Sequence, residues 1–215
     1  MNDLKILTGL KEEGICAIVR GIPKGKACKT AEALIKGGIS SIEVAYNTQD
    51  ASEIIKELSR EFAGDLTIGA GTVLDTETAR EAMLAGAQFA LSPTLNTGVI
   101  KICQKYNILC VPGVATPTEM LAAWESGARI VKVFPAKIYG PEYIKQVKGP
   151  LDHISIMVVG GIGLDNIQDF IKSGADCAGI GSDLVNNKLI EADKFSEITE
   201  RAKRFTALFK EARYK

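Results

Sequence analysis

Eight times along 215 residues, a short apolar run gives way to a longer stretch with helical period. The apolar runs fall at 16–21, 41–46, 66–73, 89–94, 108–114, 130–136, 154–161 and 177–184. The helical stretches fall at 24–36, 51–61, 76–84, 97–106, 117–124, 141–148, 164–172 and 195–213. Short runs rich in Val, Ile and Ala read as buried strands, and apolar residues at i, i+3 and i+4 read as one face of a helix. A further helical stretch at 2–13 precedes the first strand. The helix-to-strand joints resemble one another: Lys36-Gly37-Gly38-Ile39, Leu84-Ala85-Gly86-Ala87, Glu125-Ser126-Gly127-Ala128 and Lys172-Ser173-Gly174-Ala175. Each sets a glycine where a left-handed C-cap closes a helix. A βα unit repeated this often, with no linker between repeats, predicts an α/β protein of the (β/α)8 TIM-barrel type. The prediction is one domain over 1–215 with an extra N-terminal helix. An open doubly wound sheet is the alternative, and it lacks its Gly-x-Gly-x-x-Gly turn after the first strand.

Charge excludes several functions. Lys plus Arg and Asp plus Glu both total 26, so no net field favours nucleic acid or an anionic membrane. The stretch 1–14 mixes Asp, Lys and Glu with short apolar pieces, unlike a signal peptide, and no apolar segment reaches the length of a membrane span. Five cysteines (Cys16, Cys28, Cys103, Cys110 and Cys177) are scattered without a Cys-x-x-Cys pair. That pattern predicts reduced thiols in a cytoplasm rather than a disulfide framework or a zinc site. His153 is the single histidine, which excludes multi-histidine metal centres. Any catalysis therefore rests on lysine and carboxylates.

Strand phase then selects residues. Successive strand side chains face opposite ways. In Ile130-Val131-Lys132-Val133-Phe134, the valines suit the helix-covered face, which turns Lys132 inward. By the same phase Glu43 lies inward between Ile42 and Val44, and Arg20 points inward near the end of the first strand, so three ionisable side chains converge on one interior. A free lysine amine is neutral in only one molecule in ~2,500 at pH 7, and a dry interior favours the neutral, nucleophilic form. Such an amine forms Schiff bases with ketones. An inward glutamate suits general acid–base work, its carboxyl raised by burial and lowered again by the lysine. The bland reading of both residues is a buried structural ion pair.

Gly160-Gly161-Ile162-Gly163 and Gly179-Ile180-Gly181-Ser182 close the seventh and eighth strands, where barrels hold phosphate on backbone N–H groups. Tight turns needing positive φ would also explain these glycines. Gly69-Ala70-Gly71-Thr72-Val73 ends the third strand with small residues and one hydroxyl, whereas Pro112 to Glu119 reads mostly as the start of a helix. His153 and Trp124 read as structural or surface residues.

These segments, together with Ala17-Ile18-Val19-Arg20, Ile42-Glu43-Val44, Ser92-Pro93, Pro112-Gly113-Val114-Ala115-Thr116-Pro117-Thr118-Glu119 and Lys132-Val133-Phe134-Pro135, match one family in order over nearly the whole chain. They resemble the 2-keto-3-deoxy-6-phosphogluconate (KDPG) and 4-hydroxy-2-oxoglutarate (KHG) aldolases. The resemblance implies a metal-independent class I lyase without a cofactor, a homotrimeric barrel that splits a 2-keto-3-deoxy sugar acid phosphate, or KHG, to pyruvate and an aldehyde. It makes Lys132 the Schiff-base lysine and Glu43 the general acid/base. Arg20, Thr72, Pro93 and Phe134 would line the pyruvate end, and Gly160, Gly161 and Ser182 would hold the phosphate. Two positions depart from the family pattern. Asn47 stands where several members carry an arginine, and Val159 where the family usually has threonine. Both remove polar contacts from the aldehyde end. On the residues alone, a phosphosugar isomerase or decarboxylase, or a non-catalytic binding barrel, also fits.

Overall fold

A computed structural model describes residues 3–23 and 25–214. Its strands are β1 (Ile15–Val19), β2 (Ser41–Ala45), β3 (Thr67–Gly71), β4 (Phe89–Leu91), β5 (Leu109–Val111), β6 (Gly113–Val114), β7 (Ile130–Val133), β8 (Ser155–Val159) and β9 (Cys177–Ile180). They form one parallel sheet in the order β5-β4-β3-β2-β1-β9-β8-β7-β6. The two end strands, β5 and β6, are separated in the chain by Pro112 alone, so the sheet closes on itself. Proline has no N–H to give a ladder, which interrupts the expected strand at 108–114. Its carbonyl still accepts from Lys132 N at 2.8 Å and carries the closure across to β7. Nine segments thus make the eight staves of the expected (β/α)8 barrel.

The helices are α1 (Asp3–Glu13), α2 (Ala27–Lys36), α3 (Ala51–Glu61), α4 (Thr76–Ala85), α5 (Thr97–Lys105), α6 (Pro117–Glu125), α7 (Ala136–Lys148), α8 (Ile167–Lys172), α9 (Asn187–Glu191) and α10 (Phe195–Tyr214). The expected first residues of two helices, Asn2 and Lys24, lie outside the described residues. Two helix starts and one extra helix correct the sequence reading. Helix α7 begins at Ala136 rather than Pro141 and is broken at Gly140, whose φ of 76° lets the chain turn into a second helical piece headed by Pro141. Helix α8 begins at Ile167, and α9 was not expected at all. Strands also end earlier than expected, so Thr72, Pro93, Phe134, Gly160, Gly161 and Ser182 sit in loops past the carboxyl ends of β3, β4, β7, β8 and β9. The joint glycines behave as read: Gly38, Gly86, Gly127 and Gly174 have φ between 83° and 106°.

Two apolar cores lie on opposite faces of the sheet. The outer one packs strands on helices and takes in Ala17, Val19, Ile42, Val44, Val131 and Val133. The inner one fills the barrel with Cys16, Ile18, Phe89, Leu109, Ile130, Met157 and Cys177, together with Ile6 and Leu10 of α1. Helix α1 thus plugs the amino-terminal end of the barrel.

Candidate active site

Parallel register places Glu43 between Ile18 of β1 and Gly69 of β3, and Lys132 between Gly113 of β6 and Met157 of β8. Both side chains point into the barrel, opposite the helix-covered valines. Lys132 is 4% and Glu43 1% exposed. Glycines make this possible. A Cβ at position 71 would fall on the Glu43 carboxylate, and one at position 69 would fall on the Phe89 ring. Small residues on β3 are therefore the space into which neighbouring strands project larger groups.

Burial pushes the Glu43 carboxyl above the ordinary carboxylate range, and the charges of Lys132 and Arg20 pull it part of the way back. Its Oε2 is buried without a hydrogen-bond partner. Lys132 Nζ sits 5.1 Å from the centroid of the Phe134 ring, two residues on along the same face. Beyond Phe134 the chain leaves β7 through a cis peptide to Pro135.

Above these residues a cleft of about 740 Å³ opens at the carboxyl end of the barrel. Of the residues named from sequence, Arg20, Phe134, Gly160, Gly161 and Ser182 line it. Lys132 and Glu43, buried on the inner face, do not line it. Thr72 and Pro93 are half-buried at the ends of β3 and β4 and do not line the cleft. Thr72 adopts φ of 56°, a region that a β-branched residue seldom enters. Arg20, expected to point inward by strand phase, is instead exposed at the rim, because β1 ends one residue earlier, at Val19. Gly160, with φ of 95°, lies where a Cβ would press on the Phe134 ring and the Pro135 Cα at 3.1 Å. Asn47 does not line the cleft, whereas Val159 does.

The sequence reading missed Asp183, Asn186, Asn187 and Lys188, which form the wall beside Ser182. The Asn186 side chain caps α9 by accepting from Lys188 N at 3.0 Å. An Asn-Asn pair ahead of Leu-Ile is a helix-start signal that could have revealed this wall. Among the described residues no group of three His, Cys, Asp or Glu is arranged to hold a metal, and no helix is long and apolar enough to cross a membrane. His153 meets Trp124 edge-to-face at 5.1 Å, away from the cleft.

A family model described as "KDPG and KHG aldolase" matches residues 6–201. The 2-dehydro-3-deoxy-6-phosphogalactonate aldolase of Escherichia coli is 34% identical over 171 residues, which cover 79% of this chain and 83% of that protein. The 2-dehydro-3-deoxy-phosphogluconate aldolase of Haemophilus influenzae is 35% identical over 195 residues, covering 90% and 92%. Among solved structures, a KDPG aldolase from Legionella pneumophila with pyruvate captured as a covalent carbinolamine superposes with a TM-score of 0.83 at 30% identity, covering 88% of this chain and 92% of that one. A family match over most of the chain, relatives of this identity, and a shared barrel lead to one conclusion: the chain belongs to the KDPG and KHG aldolase family.

Proposed function

We propose that this chain is a class I, Schiff-base aldolase that cleaves a 2-keto-3-deoxy sugar acid phosphate of the gluconate or galactonate type, or KHG, to pyruvate and an aldehyde. The observation that carries the reading is a lysine amine and a carboxyl both buried on the barrel's inner face, in a barrel whose carboxyl end opens to a cleft lined by Arg20 and Phe134. The names of the family relatives support it.

In this reading the neutral Lys132 amine adds to the C2 carbonyl of the keto acid. The carbinolamine loses water to give a protonated imine, with Glu43 moving the protons. The imine draws the C3–C4 bonding pair toward nitrogen as Glu43 takes the C4 hydroxyl proton, which releases the aldehyde and leaves an enamine. Proton return to C3 and hydrolysis of the imine free pyruvate and the amine. Arg20 pairs with the substrate carboxylate, and Thr72 and Pro93 close the pyruvate end opposite Phe134. Gly160, Gly161 and Ser182 hold the phosphate on N–H and hydroxyl donors. The imine itself is the electron sink, so the reaction is metal-independent. The chain acts as one barrel unit. A homotrimer is the assembly that the resemblance implies, and the exposed Leu74, Leu121 and Ile138 give it apolar surface to bury. Free thiols at all five cysteines suit a reducing cytoplasm.

Intact-mass spectrometry after treatment with pyruvate and borohydride, followed by peptide mapping, tests the chemistry. One reduced pyruvate adduct on Lys132 is expected, with none in Lys132→Ala, which should also lose turnover. A folded wild-type protein that forms no adduct would point instead to an isomerase, decarboxylase or binding barrel.

A further inference from the structure

Strand β1 stops at Val19, and the chain turns immediately afterwards at Gly21, where φ is 61°. Three main-chain groups of this turn are taken by side chains. Gly21 N–H donates to Thr48 Oγ1 at 2.9 Å. Asn187 Nδ2 donates to the carbonyls of Arg20 and Gly21, each at 3.0 Å. Thr48, 5% exposed, follows β2, and Asn187 opens α9 after β9. Strands β2 and β9 are the two neighbours of β1 in the barrel. The turn is therefore held from both sides, by one side chain from each adjacent stave.

The Asn187 amide orientation follows from its partners. Two carbonyls can be served only by the two hydrogens of an NH₂ group. Its Oδ1 is consequently turned away and is buried without a hydrogen-bond partner. A buried acceptor left unsatisfied is a cost that the fold carries. Aspartate or a hydrophobic residue at this position would lose both donors to the turn.

What the turn carries is Arg20. Among the described residues its guanidinium makes no hydrogen bond or salt bridge, so its aim depends on where the backbone sets it. We propose that Asn187 and Thr48 are positioning residues: they clamp the turn after β1 and so fix Arg20 for the carboxylate of the keto acid. The inference rests on the role given to Arg20 above. Bidentate pairing of a guanidinium with a carboxylate is directional, and small errors of placement weaken it sharply.

The test measures the pyruvate concentration that half-saturates borohydride trapping at Lys132, together with the trapping rate at saturation. Arg20→Ala should raise half-saturation about 10–100-fold. Asn187→Ala and Thr48→Val should each raise it on the order of three- to tenfold with little change in the saturated rate. Thr48→Ser keeps the acceptor and should restore the wild-type value. The double variant Arg20→Ala/Asn187→Ala should behave as Arg20→Ala alone, since the clamp then has nothing to aim. The clamp is refuted if Asn187→Ala multiplies half-saturation equally in both backgrounds. It is also refuted if Asn187→Ala and Thr48→Val lower thermal stability and leave half-saturation unchanged. Should Asn187→Ala not fold, the Thr48→Val and Thr48→Ser pair decides the question alone. Absence of any adduct in the wild type would overturn the aldolase reading itself. An adduct with an unaffected Arg20→Ala would overturn the Arg20 role, and the clamp with it.

Discussion

Glu43 is ionisable and almost fully enclosed, with one buried oxygen that has no hydrogen-bond partner, and its enclosure has measurable consequences. Enclosure raises its folded-state pKa above the ordinary carboxylate value, despite Lys132 and Arg20. Between the unfolded and folded values the native state holds the extra proton, so stability falls as pH rises through that window. Glu43→Gln keeps the shape and removes the charge. The variant should therefore gain stability relative to wild type on going from acid to neutral pH, read as the difference between two urea midpoints at each pH. The same change should cut turnover by about 10²–10⁴-fold, because the amide cannot exchange protons. Higher stability with lower activity in one variant would identify Glu43 as a residue kept for chemistry. Equal stability at every pH would mean that the carboxyl is not shifted by burial. Gly71→Ala tests the space beside it. Its Cβ would occupy the carboxylate position, so either Glu43 moves or β3 does. Overpacking of this kind costs about 1–3 kcal/mol. A fall in turnover beyond that expected from the unfolded fraction should accompany it, whereas a fully active Gly71→Ala would show that Glu43 has room to spare.

At the scale of the element, α6 follows most directly from local rules. Thr116 Oγ1 accepts from Glu119 N, Glu119 Oε2 accepts from Thr116 N at 2.9 Å, and Pro117 occupies the first turn. Ala115 N also donates to Glu119 Oε2, at 2.8 Å, and these N–H groups hold the carboxyl below its ordinary range. Thr116→Ala should cost about 1 kcal/mol in a urea titration. An unchanged midpoint would mean that the box is redundant with tertiary packing. This helix start was legible because the motif lies within four residues. So were the joint glycines and the inward phase of Lys132 and Glu43, since strand alternation needs only nearest neighbours in sequence. What escaped depends on contacts between distant segments. Helix α9 has five residues, too few to show a period. Pro112 looked like the interior of one strand, because the closure it makes involves Lys132 N, twenty positions on. The glycines of β3 were read as a small-residue mouth, but their reason is the bulk of Phe89 and Glu43 on neighbouring strands. The hold of Asn187 on the turn after β1 gave no signal, since the carbonyls it serves lie at the other end of the chain.

At the scale of the whole molecule, the barrel divides its labour by end. The carboxyl end opens to the cleft, and the amino end is sealed by α1. Ile6 and Leu10 of that helix reach the inner core beside Cys16, Phe89, Leu109 and Cys177. Polar ties hold the plug in register. Lys11 Nζ meets Asp176 Oδ1 and Ser155 Oγ at 3.0 Å each, where β8 and β9 begin. Ser41 Oγ donates to Glu13 Oε2 at 2.7 Å, where β2 begins. The Asp176 carboxylate also accepts from Ile156 N at 2.9 Å, so α1 is fastened to the sheet ladder itself. A parallel sheet must be dry on both faces, and in a barrel the inner face has only its own side chains and a plug to make it so. Leu10 is 1% exposed, so Leu10→Ala opens a cavity at the floor. A loss of about 2–5 kcal/mol in urea is expected for a deletion of this kind. The packed layer of Phe89, Ile130 and Met157 lies inside the same barrel, and close packing resists small displacements. Borohydride trapping of pyruvate at Lys132 should therefore remain near the wild-type rate in the folded fraction. If trapping fell in step with stability, the floor and the cleft would form one mechanical unit, and α1 would belong to the site as well as to the fold.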